Sequence, residues 1–435
     1  MKIYSYNWKT YPETEKFIDK LVTEACEKND DINRVSKQIT QHTSTLFKDW
    51  IESFTLSGAL LYELESLGYT LKTTIYGQKL FVHTKGVFPS LRVFPGPVQV
   101  VRGLTLKVES LSVFRYLSGF YGEVDGTPGS NYSRILLSDK GGILLFAAEK
   151  NAEAWMPEDL ENGELLELLE ARNLLLQRRR FFDSGEDGWK YTEKLIDRVL
   201  CLVGRDRCAS LFLEQERRYW EARNTSARVL KARQDKLGLG WGNHDHHTFR
   251  NQRKTLHRFI HLMEMLGFRA REKFFVGDEK NSGWGVQILE QTGIDAVVSV
   301  DVDITHEELE TDFIHKELGD IKKPGRISLW TSMHGESIFE AGIHHLGVKY
   351  DYNSLKEILA HVRIGISEPF TDLPFFKQAY VHGERWLVTK LRQEMLRLEV
   401  IVNSEYSETL MREGALGSFL ECTQRVDGYK GFSQK

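Results

Sequence analysis

The spacing of hydrophobic side chains in the middle of the chain changes in a regular order. Apolar residues three and four positions apart predict an amphipathic helix over residues 252–266. The segments 268–276, 284–290 and 296–304 have the short apolar patterns typical of strands. Residues 242–250, just before the helix, alternate as a strand would. This region is therefore predicted to fold as a strand, a helix and three further strands.

The N-terminal part combines helical and strand patterns. Helical spacing of apolar residues covers residues 13–28 and 35–67. Alternating segments predict strands over residues 69–75, 79–84, 98–108, 133–137 and 142–148. Residues 157–239, which follow these strands, have the apolar spacing of several helices. We expect an α+β protein with a mixed N-terminal domain (1–156), a helical connector (157–239) and a C-terminal domain (240–435).

Composition and charge narrow the class of protein. The chain has 435 residues, of which 41% are hydrophobic and 28% charged, with a formal net charge of −4. These values are ordinary for a soluble globular protein and give no general attraction to nucleic acid or anionic membranes. No apolar run approaches the ~20 residues of a membrane span, and the first residues lack the apolar core of a signal peptide. The four cysteines form no CxxC pair, so the reducing cytoplasm is the expected location, while the oligomeric state stays open.

The last connector segment, 206–237, carries a basic stripe next to Tyr219 and Trp220. A stripe of this kind with aromatic side chains would suit a nucleic-acid surface. Glu214 and Glu216 are among the acidic residues that interrupt it, three or four positions from basic ones. That arrangement is typical of a solvated helix face, so no nucleic-acid partner is expected.

Histidine is concentrated in the C-terminal part. Twelve of the fourteen histidines lie within residues 244–382. In the densest group, a strand would place His244, His246 and Thr248 on one face and His247 on the other. One face could hold a metal ion while the other joins the core. The alternative is a polar surface loop.

The segment Asp245-His246-His247-Thr248-Phe249-Arg250, followed by a helix and Leu266-Gly267-Phe268, resembles a module of the vicinal oxygen chelate superfamily. This superfamily includes glyoxalases and ring-cleaving dioxygenases. The pattern is most similar to the branch of 2-oxoadipate dioxygenase/decarboxylase relatives. In that branch the histidine binds a metal and the arginine can face a substrate carboxylate. The resemblance therefore implies a metal ligand at His246 and a catalytic role at Arg250.

A second segment, Gly342-Ile343-His344-His345-Leu346-Gly347, leads into helical spacing at residues 354–362 and resembles the opening of another module. By position in the motif, the implied ligand is His345. Paired βαβββ modules of this superfamily form one half-open barrel with the metal between them. The C-terminal domain is therefore expected to be such a barrel, and the resemblance leaves the N-terminal half unexplained.

The resemblance leaves several candidates for a carboxylate ligand. Glyoxalase-like modules carry a glutamate on the last strand, but Ser299 occupies that place in the first module. The acid would then come from the second module, where Glu384 is preferred. Further candidate ligands are His247, His244 and Glu290. Two histidines and one carboxylate suit Fe²⁺, with Zn²⁺, Mn²⁺ and Ni²⁺ as alternatives.

The sequence thus suggests a metal-dependent enzyme that acts on a small 2-oxo or 2-hydroxy carboxylate, such as an Fe(II) dioxygenase or decarboxylase. The competing hypothesis is a non-catalytic binding or assembly protein with the same fold. In the first case the imidazoles of His246 and His345 should meet at a common point. In the second they should diverge or be buried without a shared cavity.

Overall fold

Two curled sheets with helices on their outer faces make up most of the computed structural model, which describes residues 8–58, 61–97, 99–149, 156–277, 283–321, 324–398 and 404–431. The N-terminal part contains α1 (Pro12–Lys28), α2 (Asp30–Thr43), a short 3-10 helix (Phe47–Trp50), β1 (Ile51–Ser57), α3 (Leu61–Ser66), β2 (Thr70–Ile75), β3 (Gln78–Val82), β4 (Ser90–Phe94), β5 (Val100–Val108), α4 (Leu111–Ser118), β6 (Val124–Asp125), β7 (Arg134–Lys140) and β8 (Ile143–Glu149).

Helices then connect this part to the C-terminal sheet. They are α5 (Asn162–Leu176), α6 (Gly185–Ala222) and α7 (Thr225–Asp235). The chain continues through β9 (His244–Arg250), α8 (Leu256–Met265), β10 (Arg269–Val276), β11 (Trp284–Gln291), a 3-10 turn (Thr292–Ile294), β12 (Ala296–Val302), α9 (His306–Leu309), α10 (Arg326–His334), β13 (His345–Lys349), α11 (Tyr352–His361), β14 (Thr371–Leu373), β15 (Phe376–Tyr380), β16 (Glu384–Trp386), α12 (Lys390–Leu398), α13 (Ser404–Glu413) and β17 (Ala415–Arg425).

The two sheets have the same strand topology. The N-terminal order is β2-β3-β4-β1-β5-β8-β7-β6, and the C-terminal order is β10-β11-β12-β9-β13-β17-β15-β14, with β16 paired to β17. In each sheet the two central strands are antiparallel, and each is parallel to the last strand of its own unit. The α+β prediction with paired βαβββ units is therefore confirmed, and the same arrangement occurs twice.

Two sequence predictions of secondary structure are wrong. Residues 35–67 are not one helix, because Ser44 adopts a left-handed backbone (φ 59°) that ends α2 and the chain continues into β1. The second concerns residues 326–333, whose apolar pattern predicts a buried strand but which form helix α10. The Asp303 carboxylate accepts hydrogen bonds from the backbone N–H groups of Ile327 and Ser328, at 3.2 and 2.7 Å, which caps the start of α10.

The basic connector is more buried than the sequence suggested. In α6, Arg217 is only 8% exposed, and its Nη1 lies 3.2 Å from Nε2 of His247. Arg178 and Arg180 both bind the buried Glu216 carboxylate and donate to backbone carbonyls at residues 338 and 339. The prediction of a solvated basic face over residues 206–237 is therefore wrong for Arg217. All three arginines hold the connector against the C-terminal part.

Separate hydrophobic clusters fill the outer face of each sheet. In the C-terminal sheet, Phe249 of β9 packs against Phe259 of α8, with ring centroids 4.9 Å apart, and stacks on Phe212 of α6. Since alternate residues of a strand point to opposite faces, this packing turns the neighbouring side chains of β9 toward the concave face. Within the described ranges, no helix combines the length and apolar character that a bilayer crossing requires.

Candidate metal centre

Strand β9 sends its histidines to opposite faces of the sheet, as its alternation predicts. His247 and Phe249 join the outer core, whereas His246, Thr248 and Arg250 point into the concave face. The bulky outward residues thus fix which side chains face inward. A register slip of one residue would exchange the two sets and bury Arg250 in the apolar core.

The register between β9 and β13 brings the two histidine segments together. His345 lies opposite Thr248, and Gly347 lies opposite His246. This pairing has approximate two-fold symmetry, which relates His246 to His345. Their rings are perpendicular, with centroids 5.5 Å apart. The two imidazole rings therefore lie close together, as the enzyme hypothesis predicts.

Glu421 on β17 completes the cluster. It lies beside Gly347 on the parallel strand pair β13–β17 and beside Tyr380 of β15. Its Oε2 is 3.1 Å from Nε2 of His345 and 3.8 Å from Nε2 of His246. One ligand atom from each of these three buried residues lies within 4.8 Å of the others.

The same two-fold symmetry shows which residue of the first unit corresponds to Glu421 of β17. Ser299 lies beside Thr248 on the parallel pair β12–β9, in the same way that Glu421 lies beside Gly347 on β17–β13. Ser299 and Glu421 therefore occupy corresponding places in the two units. Only the second unit carries the glutamate.

Surrounding residues orient the imidazole of His246. Its Nδ1 lies 3.0 Å from Oδ2 of Asp245, and that carboxylate accepts hydrogen bonds from Nε and Nη2 of Arg425, at 2.9 and 2.8 Å. A carboxylate on Nδ1 leaves Nε2 directed at the cluster as a ligand atom. Gly347 makes room for the ring, because a Cβ at this position would lie 2.3 Å from Cε1 of His246.

His345 and Glu421 are held by different partners. Nδ1 of His345 is 2.8 Å from Nδ1 of His344, and its Nε2 is 2.7 Å from Oγ1 of Thr248. Glu421 accepts hydrogen bonds through Oε1 from Gln378 Nε2, at 2.7 Å, and from Thr423 Oγ1, at 2.9 Å. Its Oε2 is therefore left to face the two imidazoles.

Burial and charge shift the pKa values of the three residues. Burial alone would lower the pKa of His246, but the carboxylates of Glu421 and Asp245 raise it above its usual value. Burial lowers the pKa of His345, which favours a neutral imidazole. Burial would raise the pKa of Glu421, yet the two histidines hold it below its ordinary value. An ionised carboxylate and imidazoles that can offer a lone pair are the forms that bind metals.

These observations test whether a divalent cation fits. The donor set is two imidazoles and one carboxylate, which suits Fe²⁺, Zn²⁺ or Mn²⁺. Each donor has its second polar atom engaged elsewhere, so one atom of each points to the shared position. The residues fit a metal ion.

A second group of charged side chains lies on the same concave face. Arg250 and Asp301 are neighbours on β9 and β12, with Nε of Arg250 3.6 Å from Oδ2 of Asp301. The guanidinium also lies over the ring of Trp330, with Cζ 5.2 Å from the ring centre. Burial raises the pKa of Asp301 to about 6 against the lowering effect of Arg250. The Tyr380 ring lies 5.4 Å from the His345 ring and adds a phenol to this face.

The preferred carboxylate, Glu384, lies elsewhere. On β16 its Oε2 accepts a hydrogen bond from the backbone N–H of Thr225, at 2.9 Å, and it does not join the buried cluster. The carboxylate that lies with the two histidines in the structure is that of Glu421, not that of Glu384. Glu384 has instead a structural position at the start of α7, whose N-terminal N–H groups favour an acidic partner.

The three further candidates are also held by other groups. His244 Nδ1 lies 2.8 Å from the carbonyl oxygen of Trp241. His247 contacts Arg217 on the outer face. Glu290 pairs with Arg271 and Lys430, at 3.3 and 2.7 Å.

The sequence contained a signal for Glu421 that the prediction did not use. Glu421 is the single acidic residue of strand β17, Ala415–Arg425, and follows the apolar pair Phe419-Leu420. The insertion of β16, α12 and α13 between β15 and β17 separates it from the rest of its unit. Residues 386–402, after β15, have helical spacing. The sequence pattern therefore does not show that a further strand of the second unit follows them.

Comparison with known proteins finds only distant similarity. No protein-family model matches the chain, and no curated protein matches it. Among solved structures, a variant of 4-hydroxymandelate synthase from Streptomyces coelicolor is 12% identical, with 89% of this chain and 95% of that chain covered and a TM-score of 0.25. Methylmalonyl-CoA epimerase from Mycobacterium tuberculosis is 10% identical, covering 42% of this chain and 89% of that chain, with a TM-score of 0.24.

A homoprotocatechuate 2,3-dioxygenase variant from B. fuscum is also 10% identical, covering 88% of this chain and 72% of that chain, with a TM-score of 0.21. These three proteins have the vicinal oxygen chelate fold. At such TM-scores the similarity adds no weight to any residue assignment.

Proposed function

We infer that this protein is a metal-dependent enzyme acting on a small 2-oxo or 2-hydroxy carboxylate, with an Fe(II) dioxygenase or decarboxylase reaction as the preferred form. The proposal rests on one observation above the others: the ligand atoms of His246, His345 and Glu421 converge on one buried point. A bound Fe²⁺ would act there as a Lewis acid and as the site of O₂ activation.

Convergence favours an enzyme over the non-catalytic alternative. Histidines used only for structure would be satisfied by separate hydrogen bonds, and their rings would have no reason to face one carboxylate oxygen. Here the two imidazoles approach the same Oε2 of Glu421 from two different strands. Burying two imidazoles and a carboxylate together has a desolvation cost, which a bound cation would offset.

Arg250 is the proposed binding residue for the substrate carboxylate. Its guanidinium lies on the same face as the metal ligands, with Nε 3.6 Å from Oδ2 of Asp301, and this Nε makes no hydrogen bond within the described part of the chain. A substrate carboxylate could therefore accept from Nε as part of a bidentate contact. Trp330 limits the movement of the guanidinium plane and would orient it for this contact.

The first experiment measures metal content in protein purified anaerobically without a histidine tag. We expect near-stoichiometric metal in the wild type and loss of it in both His246→Ala and His345→Ala. Folded wild-type protein that contains no metal, and takes up none of Fe²⁺, Zn²⁺, Mn²⁺ or Ni²⁺, would contradict the proposal.

The second experiment tests the substrate class. Oxygen consumption and CO₂ release would be measured for Fe²⁺-loaded protein with a series of 2-oxo and 2-hydroxy acids that differ in chain length and in a distal carboxylate. We expect turnover of a member with a distal carboxylate, and a higher KM for its monocarboxylate analogue. Equal KM values for the two would remove the assigned role of Arg250.

A further inference from the structure

A cavity of about 300 Å³ lies between the two sheets, and none of the three proposed metal ligands is in its wall. Strand β5 of the N-terminal sheet contributes Lys107, and strand β13 of the C-terminal sheet contributes Lys349. These strands are the corresponding central strands of the two sheets. The cavity therefore joins two equivalent places of the repeated fold.

Most basic side chains in the cavity wall are already neutralised. The paired ones are Lys48 with Glu15, Arg271 and Lys430 with Glu290, and Arg425 with Asp245. Lys107 and Lys349 differ from them, since neither has a carboxylate within 4 Å in the described part of the chain. The charge of Asp49 influences both lysines, but Asp49 makes an ion pair with neither.

Burial makes this absence of partners significant. Lys107 is only 8% exposed. Burial, followed by the charge of Lys107, lowers the pKa of Lys349 to about 8, so Lys349 still carries its charge at neutral pH and is repelled by Lys107. Two buried ammonium groups that make no ion pair are costly to keep, although the more distant charges of Asp49, Asp245 and Asp295 offset part of that cost for Lys349. A bound anion would offset this cost.

We propose that this cavity binds a small oxyanion, a carboxylate or a phosphate, between the ammonium groups of Lys107 and Lys349. The ligand would contact both sheets at once and so stabilise their relative position. The ligand must be small, because a cavity of about 300 Å³ is at the lower end of the range for small-molecule sites.

Thermal unfolding of the full chain with added sodium phosphate or sodium succinate tests this site, with sodium chloride at matched ionic strength as reference. We expect a saturable rise in Tm for at least one anion, of about 3 to 6 °C at 100 times its Kd. Isothermal titration should give a single site per chain. A response to only one anion supports the site and distinguishes phosphate from carboxylate chemistry.

Lys107→Met and Lys349→Met should each abolish the anion-dependent rise. Their Tm without anion should equal or exceed that of the wild type, because each substitution removes an unpaired buried charge. The matched control is Lys48→Met, which changes a lysine of the same cavity that is already paired with Glu15. It should retain the anion response.

The inference is overturned if neither anion acts beyond chloride, if the response survives in both lysine variants, or if Lys48→Met loses it equally. Repeating the titration in Arg250→Gln separates this site from the proposed substrate site. Retained binding there supports a second site, and lost binding would assign the anion to the concave face instead. The metal and turnover experiments do not depend on either result.

Discussion

The N-terminal and C-terminal sheets share their strand order and the directions of their central pairs, yet their concave faces carry different chemistry. The pairs Ser53–Thr105 and Thr55–Gly103 of β1–β5 can be aligned with His246–Gly347 and Thr248–His345 of β9–β13. Ser53, Gly103 and Phe146 then stand where the C-terminal sheet has His246, His345 and Glu421. The two sheets therefore share a strand topology but not the side chains that form the histidine–glutamate cluster.

The outer faces show why both sheets can nevertheless be stable. Phe54 and Leu104 pack under helices in the N-terminal sheet, as Phe249 and Leu346 do in the C-terminal sheet. Burial of these outward side chains supplies the hydrophobic free energy in either half. The concave positions are therefore free to vary, and in one half they could become polar and specific without loss of the fold.

The largest expected effect comes from removing the carboxylate that distinguishes the two sheets. Glu421→Gln should lower metal affinity by more than about 100-fold, since a ligand contributes more than the outer-shell partners whose loss costs 10- to 100-fold. Chelator competition would measure it. Glu384→Gln is the matched control and should bind metal as the wild type does. If Glu384→Gln loses metal and Glu421→Gln does not, the assignment of the carboxylate is wrong.

Glycines at the concave face provide the next test. Gly347→Ala would place a Cβ 2.3 Å from the His246 ring, so the ring must move. We expect about a 10- to 100-fold loss of metal affinity and about 1–3 kcal/mol lower unfolding free energy. Gly103→Ala on β5 is the control, because its Cβ would meet neighbours only at 3.4 Å. Equal losses for the two variants would show that the effect does not come from His246.

Replacing Arg250 tests the substrate side of the same face. Arg250→Lys keeps the charge but loses the two-donor geometry that a carboxylate contact uses. We expect the KM of a 2-oxo dicarboxylate to rise about 10- to 100-fold, the loss of one charge-assisted hydrogen bond, with metal content unchanged. Steady-state kinetics together with metal analysis would check this. An unchanged KM would place the substrate carboxylate elsewhere.

The smallest expected effect concerns pH and the cavity between the sheets. Burial and Lys107 lower the pKa of Lys349 to about 8 from 10.5, while Asp49, Asp245 and Asp295 act in the opposite direction. Anion binding should therefore be intact at pH 7 and fall about tenfold by pH 9, as Lys349 loses its proton. In the ligand-free chain the same shift should make unfolding free energy increase between pH 8 and 10.5.

Titration calorimetry across this range would measure the binding, with phosphate or succinate as the ligand. Lys349→Arg is the control, because arginine stays charged throughout. The pH dependence should disappear in this variant. A dependence that persists would have to come from another group.

The sequence predicted what depends on local patterns. The alternation of side chains predicted which residues of β9 share a face, and the second histidine segment predicted that His345 would lie near His246. It could not predict the carboxylate beside the two histidines, because the place of Glu421 depends on pairing between β13 and a strand more than seventy positions away. It also missed α10, whose cap comes from Asp303, just after β12. These contacts are set by tertiary structure.

The insertion before β17 has a consequence for how the molecule is made. The strand that carries Glu421 lies in the middle of the C-terminal sheet, between β13 and β15, but is synthesised after every other strand. Until β17 pairs with β13, the edge of β13 is open and Glu421 is not in place beside His246 and His345. The three proposed ligands therefore come together only when the central gap of the C-terminal sheet closes.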